Sequence, residues 1–357
     1  MAGDPMNVID LRSDAVTLPS REMLESMMRA ELGGDLLGED PTVRELQELA
    51  ARMFGAEDAL LLISGTQANL VAMMAHCRRG DKVIVDSKAE IYRCEVDGMV
   101  SIAGLAPMPI EGSKGTFTGD QVRQAAKALD SDASSLGLLV LENTHHHAGG
   151  TCWTPSQVAD AAQAAHELGL KVHMDGARVF NAAVALGVPV SDYMRHVDSI
   201  QFSLSKGLGC PMGSILVGDS DFIDVARKRR GLLGGGMRKA GAIAAPGIVA
   251  LNTMVDRLSE DHANARRLVD HLEVLEEIVI DRDSVQTNMV VADISATGMT
   301  AEAFVAKARE KGLMVSVLGP STICFVTHRG ITEEDVERAA MIVESVIPAC
   351  RSGVCYI

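Results

Sequence analysis

A chain of 357 residues that is 47% apolar can fill one large core and a smaller one, which excludes an intrinsically disordered protein. Thirty-three basic against forty-eight acidic residues leave a net charge of -15, which opposes nucleic acid or anionic membrane as partners. The start MAGDPMNVIDLRSD lacks the apolar core of a signal peptide and no apolar stretch approaches the about 20 residues of a membrane span, so a cytoplasmic location is expected.

In chain order, the first clear element is PTVRELQELAARMFG. Asp40 can cap this helix, Pro41 suits its first turn, Val43, Leu46, Leu49 and Met53 mark one face, and Gly55 ends it. LLLISGTQANL then reads as a strand ending at Ile63, followed by Ser64, Gly65 and Thr66 at the head of a helix. Unpaired backbone N–H groups, a hydroxyl and the helix dipole there suit a phosphate, although the same residues also describe an ordinary capped turn. DKVIVDS and LGLLVLENT continue the strand series. If His145, His146 and His147 extend the second of these, they face alternate sides, and no metal is expected at the triplet. The seven cysteines, at 77, 94, 152, 210, 324, 350 and 355, have neither CxxC pairing nor zinc spacing and read as reduced thiols. The basic run ARKRR at 226–230 reads as a solvated helix face.

KVHMDGA and SIQFSLS are short apolar strands that end in polar residues, and ligands of open α/β sheets bind beyond the carboxyl ends of strands. Asp175 and Lys206, about thirty residues apart, fall at those ends. One carboxylate and one amine so placed suit pyridoxal 5'-phosphate: a lysine holds its aldehyde as a Schiff base, and an acid keeps its pyridine nitrogen protonated. GSILVGD completes an alternation of strands and helices over residues 15–245, the pattern of a mostly parallel, doubly wound sheet. From APGIVALNTMVDRLSEDHANARRLVDHLEVL a long helical segment leads to VQTNMVVADI and VSVLGPSTICFVTH. The expected division is an N-terminal arm and large cofactor-binding domain, 1–245, and a small C-terminal α/β domain, 246–357, with the boundary inside or beside a helix.

Seven motifs in order, IDLRSDAVTLPS, GEDPTVREL, SGTQAN, LENTHHHAGG, MDGARVFNA, SLSKGLGCPMGSILVG and GGGMRKAG, resemble the low-specificity L-threonine aldolases, β-eliminating lyases of the fold type I pyridoxal phosphate group. The likeness runs nearly end to end. It implies Lys206 as the Schiff base lysine, with Ser205 beside it, and Asp175 as the pyridinium partner. It further implies Ser64, Gly65 and Thr66 at the phosphate with help from Arg238, Ser13 and Arg178 at the substrate carboxylate, and His145 near the reacting side chain. A homotetramer, or dimer of dimers, with sites at subunit contacts is implied, Arg238 reaching across an interface. The implied reaction is retro-aldol cleavage of a β-hydroxy-α-amino acid to glycine and an aldehyde.

Four positions depart from the family pattern, mostly on the substrate side. AEIY puts Glu90 where the family carries a histidine stacked over the cofactor, and an electron-rich ring beneath it is expected to raise its pKa and protonate it. Leu37 replaces a tyrosine, Cys324 an arginine that commonly helps bind the substrate carboxylate, and Gly231 a lysine; Arg329 is the one nearby cation available to compensate. The cofactor half therefore reads as intact and the substrate half as rewritten. Three functions stay open: an aldolase with altered substrate, a β-elimination or racemisation on the same scaffold with Glu90 moving the proton, and a non-catalytic binding protein.

Overall fold

The structure, a computed structural model, describes residues 8–128 and 136–348; Cys350 and Cys355 lie outside them. After a two-residue strand, β1 (Ile9–Asp10), come β2 (Asp58–Leu62), β3 (Lys82–Asp86), β4 (Ala106–Ile110), β5 (Leu136–Glu142), β6 (Lys171–Asp175), β7 (Ser199–Ser203) and β8 (Ser214–Gly218). The last seven form one sheet in the order β2-β8-β7-β6-β5-β3-β4, parallel except for β8, which runs antiparallel to both of its neighbours. This is the fold class the sequence implies.

The sheet is covered on both faces, and the strand residues say why. Leu61, Ile84, Leu139 and Leu141 share one apolar cluster, whereas Leu60, Leu62, Val83, Val85, Leu138 and Val140 belong to clusters on the opposite face. Side chains alternate across a strand, so an unbroken apolar run needs cover on each side. The helix Pro41–Phe54 supplies part of it, capped by Asp40 with Pro41 in its first turn and ended by Gly55 in a left-handed conformation. Its buried face is Val43, Leu46, Gln47, Ala50 and Phe54, with Leu49 and Met53 on the margin rather than at the centre. Phe54 stacks on Phe202 of β7 at 5.0 Å between ring centroids, contact that fixes the strand whose extension carries Lys206.

The strand β4, APMPI, which the sequence reading does not include, carries two prolines, residues that disfavour a strand. It pairs with β3 alone, at the sheet edge, where a residue lacking an N–H is tolerated.

Beyond residue 241 two helices, Gly241–Thr253 and Leu258–Leu272, lead to β9 (Val279–Ile280), β10 (Met289–Asp293), β11 (Leu313–Met314), β12 (Ser316–Gly319) and β13 (Thr322–Val326). Strands β12-β13-β10-β9 form an antiparallel sheet. Ala265, Leu268, Val290, Phe304 and Phe325 lie in a second apolar cluster, and Ile9 and Leu11 join it, because β1 pairs in parallel with β11. The N-terminal segment is therefore anchored on the second core before it crosses to the large sheet at Asp14. Among the described residues the five cysteines are free thiols, and no helix is long and apolar enough to cross a membrane.

Candidate active site

Three adjacent parallel strands end in buried carboxylates: Asp86 on β3, Glu142 on β5 and Asp175 on β6. Buried carboxylates must find donors, and each of these does so differently.

Asp175 accepts from Asn69 Nδ2 at 2.8 Å, Gln201 Nε2 at 2.5 Å and the Ala177 N–H at 3.1 Å. Behind Asn69 a chain runs inward: Asn69 Oδ1 to His173 Nε2 (3.2 Å), His173 Nδ1 to Ser199 Oγ (2.9 Å), Ser199 Oγ to His76 Nε2 (2.7 Å). A carbonyl oxygen only accepts, so His173 carries its proton on Nε2 and its Nδ1 takes the Ser199 hydroxyl hydrogen; His76 then donates to Ser199. Every donor in the chain points toward Asp175. Both imidazoles are neutral: burial pushes His173 down to about 4, and burial together with His173 pushes His76 down to about 3. The result is a carboxylate locked in direction by partners that bring no charge of their own.

Lys206 sits in the loop that turns β7 back into β8. Burial, then the charge of Arg178, lowers its pKa against the pull of Asp175, Asp14 and Glu90, which favours the uncharged, nucleophilic amine. Ser205 Oγ lies 3.4 Å from Ser203 Oγ beside it. At the end of β2, Ser64 caps the helix Gly65–His76, its Oγ accepting the Gln67 N–H at 3.2 Å. The N–H groups of Gly65 and Thr66, in the first turn, have no intrahelical acceptor. The glycine loop closes against this turn at Gly235, where a Cβ would come within 2.4 Å of Gln67 Nε2. Arg238, three residues on, has an exposed side chain, and its carbonyl takes the Asp35 N–H at 2.9 Å. Within the chain no hydrogen bond or ion pair among the described residues joins its side chain to Ser64, Gly65 or Thr66.

Arg178 donates from Nε and Nη2 to the two oxygens of Asp14, both at 2.8 Å, with both side chains buried. Burial alone would raise the Asp14 carboxyl, but Arg178 holds it down to about 2. This side-on fork leaves the end-on pair, Nη1 and Nη2, for a second carboxylate. Ser13, next in the chain, accepts the Ala15 N–H at 3.1 Å and fixes the turn that presents Asp14.

The histidine triplet does not extend β5, which ends at Glu142; residues 146–148 form a short 3-10 turn. His145 is fully buried, its Nε2 3.1 Å from Asp86 Oδ1 and 3.9 Å from Glu142 Oε2. Against the effect of burial, Glu142 and Asp86 raise its pKa. His146 is the imidazole that feels Arg178, Glu90 and Lys206; burial, then Arg178, pushes it down to about 3. His147 Nε2 lies 3.3 Å from Glu90 Oε2, and neither atom, though shut away from solvent, has a hydrogen bond of good geometry. Glu142 clamps the two segments together, accepting the N–H of Glu90 and that of His146, each at 2.7 Å. The sequence expectation of a protonated Glu90 is corrected here: the contact with His147 outweighs burial and, with His146, holds the carboxyl down to about 2.

The other departures are also placed. Cys324 is buried beside Met289 and Val326, near enough to Arg178 for that charge to act on its thiol, which burial pushes up to about 12. Leu37 is 75% exposed. Gly231 lies in the surface helix Ser220–Leu232 with open space where a side chain would stand. Arg329 turns outward to the Leu18 carbonyl at 2.7 Å and does not stand in for the missing arginine. Asp14, Asn69, Glu142, His146, His173 and Gln201 all escaped the sequence reading as site residues; for Glu142, His173 and Gln201 the available signal was a polar residue in an otherwise apolar strand.

An amine and a pinned carboxylate at adjacent strand ends, facing a helix N-terminus, define the class: a fold type I pyridoxal phosphate enzyme scaffold. The chain belongs to the beta-eliminating lyase family, whose model matches residues 10–295. It is 40% identical over 334 residues to the low specificity L-threonine aldolase of Escherichia coli (strain K12), covering 93% of this chain and 97% of that one. It is 39% identical over 336 residues to low-specificity L-threonine aldolase 1 of Arabidopsis thaliana, covering 93% and 94%. Among solved structures, the threonine aldolase of Leishmania major superposes with a TM-score of 0.81 at 19% identity, over 95% of this chain and 99% of that one.

Proposed function

We propose that this protein is a pyridoxal phosphate-dependent aldehyde-lyase that cleaves a β-hydroxy-α-amino acid of the L-threonine or L-allo-threonine type to glycine and an aldehyde. The observation that carries the reading is the junction of Lys206, its amine displaced toward the neutral form, with the donor-locked carboxylate of Asp175. The residues fit the cofactor: Lys206 for the aldehyde, Asp175 for the ring nitrogen, and the open N–H groups of Gly65 and Thr66, with Ser64 capping their turn and Ser205 next to Lys206, for the phosphate. Bound there, the cofactor supplies the electron sink that takes up the pair released when the Cα–Cβ bond breaks.

The chain's own groups do the rest. Asp175 is held in place to face the ring nitrogen by three donors. Arg178 offers its end-on fork to the substrate carboxylate while Asp14 fixes the side-on fork, and Ser13 stands next to that pair. Without a second arginine at Cys324 the carboxylate is held from one side. Glu90, ionised and supported by His147, accepts the β-hydroxyl proton, and His146 lies on the Lys206 side of the turn. His145 acts through Asp86 and Glu142 as a positioning residue, since it is fully buried.

The same reading includes a homotetramer, or dimer of dimers, in which Arg238 serves a neighbouring phosphate, and a cytoplasmic location. In support of assembly, Leu18, Met28 and Leu37 are 77%, 80% and 75% exposed near the site-bearing N-terminal segment. The division at residue 245 into large and small domains is proposed with it: the helices on either side of Met254 carry the chain from the first apolar cluster to the second.

The test is to incubate purified, cofactor-loaded protein with a panel of β-hydroxy-α-amino acids and identify the products. Glycine and the matching aldehyde are expected. Pyruvate and ammonia, or racemisation without cleavage, would replace the proposal with another reaction on the same scaffold, and no product at all from intact loaded protein would remove it.

A further inference from the structure

We infer that Glu90, Cys94 and His147 form a three-ligand site for a thiophilic divalent cation of the zinc class. One ligand atom from each of the three, a carboxylate oxygen, a thiol sulfur and an imidazole nitrogen, lies within 4.8 Å of the other two. Zinc takes this donor set in tetrahedral geometry, and three protein ligands leave a fourth position for water or a substrate oxygen. The spacing follows from local structure: Glu90 opens a one-turn helix, Glu90–Arg93, and Cys94 is its C-cap, four residues on and thus on the same side. The third ligand arrives on the turn after β5, brought alongside by Glu142, which accepts the backbone N–H of both Glu90 and His146 at 2.7 Å. That buried clamp holds the two ligand-bearing segments at a fixed separation in the absence of any ion.

The second observation is that the cluster is under-satisfied without one. Glu90 Oε2 and His147 Nε2 face each other at 3.3 Å, shielded from water and without a hydrogen bond of good geometry. A cation between them and the Cys94 sulfur would satisfy both. Cys94 is exposed, so an ion has an entry path. Binding exchanges the thiol proton for the metal: the S–H bond breaks, the sulfur keeps the pair as a thiolate ligand, and one proton leaves to solvent. An ordinary thiol, with a pKa of about 8.5, carries that proton at neutral pH. A bound cation also takes the Glu90 carboxylate out of proton transfer.

Cobalt(II) chloride and zinc chloride, each alone, titrated into metal-stripped protein carrying its cofactor, test the site without recourse to turnover. The expected result is one equivalent of cobalt per chain with a thiolate-to-cobalt charge-transfer band, release of about one proton per metal in weak buffer, and displacement by zinc. Cys94→Ser and His147→Gln should each weaken binding at least tenfold, whereas Cys77→Ser, at a half-buried thiol elsewhere, should leave it unchanged. Absence of saturable binding, or binding that survives both Cys94→Ser and His147→Gln, would overturn the inference. Retained cofactor absorbance in each variant separates loss of the site from loss of the fold, and aldolase activity can be absent without affecting any of these readings.

Discussion

Asp175 and Glu90 are both carboxylates at the same edge of the same sheet, and they are treated oppositely. Asp175 is held by three donors backed by a chain of neutral groups reaching to His76. Glu90 has its charge set by His147 and its backbone pinned by Glu142, but its outer oxygen lacks a well-formed hydrogen bond. Buried polar groups are normally satisfied, so the Asp175 side is built to stay as it is, whereas the Glu90 side keeps a buried oxygen without a hydrogen bond from the protein. The lesson is that the carboxyl ends of one sheet can hold a fixed cofactor-facing half, where Asp175 ends β6, and an adaptable substrate-facing half, where Glu90 follows β3, with β5 between them.

Variants on the fixed side should produce the largest losses. Lys206→Ala should lower turnover on the order of 10³-fold or more and abolish the visible absorbance of bound cofactor, measured by spectrophotometry and single-turnover assay. Asp175→Asn keeps shape and loses charge; turnover should fall about 10²- to 10³-fold while cofactor still binds, because Asn69, Gln201 and the phosphate turn remain. Glu90→Gln, on the other side, should reduce kcat about 10²-fold with little change in KM and none in cofactor absorbance. If Glu90→Gln instead stripped the cofactor, the two halves would not be separable.

A smaller effect concerns stability. Asp14 titrates near 2 in the folded protein, below the usual carboxyl value of 3.8, so its pairing with Arg178 stabilises the fold above pH 3.8 and is lost as pH falls toward 2. That loss amounts to about 2 kcal/mol, and chemical denaturation from pH 5 to pH 2 should lose this increment in the wild type and not in Asp14→Asn.

Much of the fixed half was legible in the sequence. Asp175 ends β6 and Lys206 follows β7 because apolar runs ending in polar residues mark strand ends, and Ser64 caps a helix because Ser-Gly-Thr before an apolar stretch is a helix start. The supports were not legible. His173, Ser199 and Gln201 sit inside apolar strands, and the pairing of Asn69 with Asp175 spans 106 residues, a contact no local pattern encodes. The triplet at 145–147 misled for a physical reason: extension of β5 would have alternated the rings, but the chain turns after Glu142, burying His145 on Asp86 and sending His147 to Glu90. The protonation state of Glu90 depended on that same turn.

The separation of a fixed half from an adaptable half is tested most directly by Glu90→His, through cofactor absorbance and the pH dependence of kcat. An unchanged absorbance is predicted, together with a shift of the acidic limb of the profile from below pH 4.5, where the wild-type carboxylate stays ionised, to the imidazole range of about 6 to 7. Lost absorbance, or an acidic limb that does not move, would contradict it.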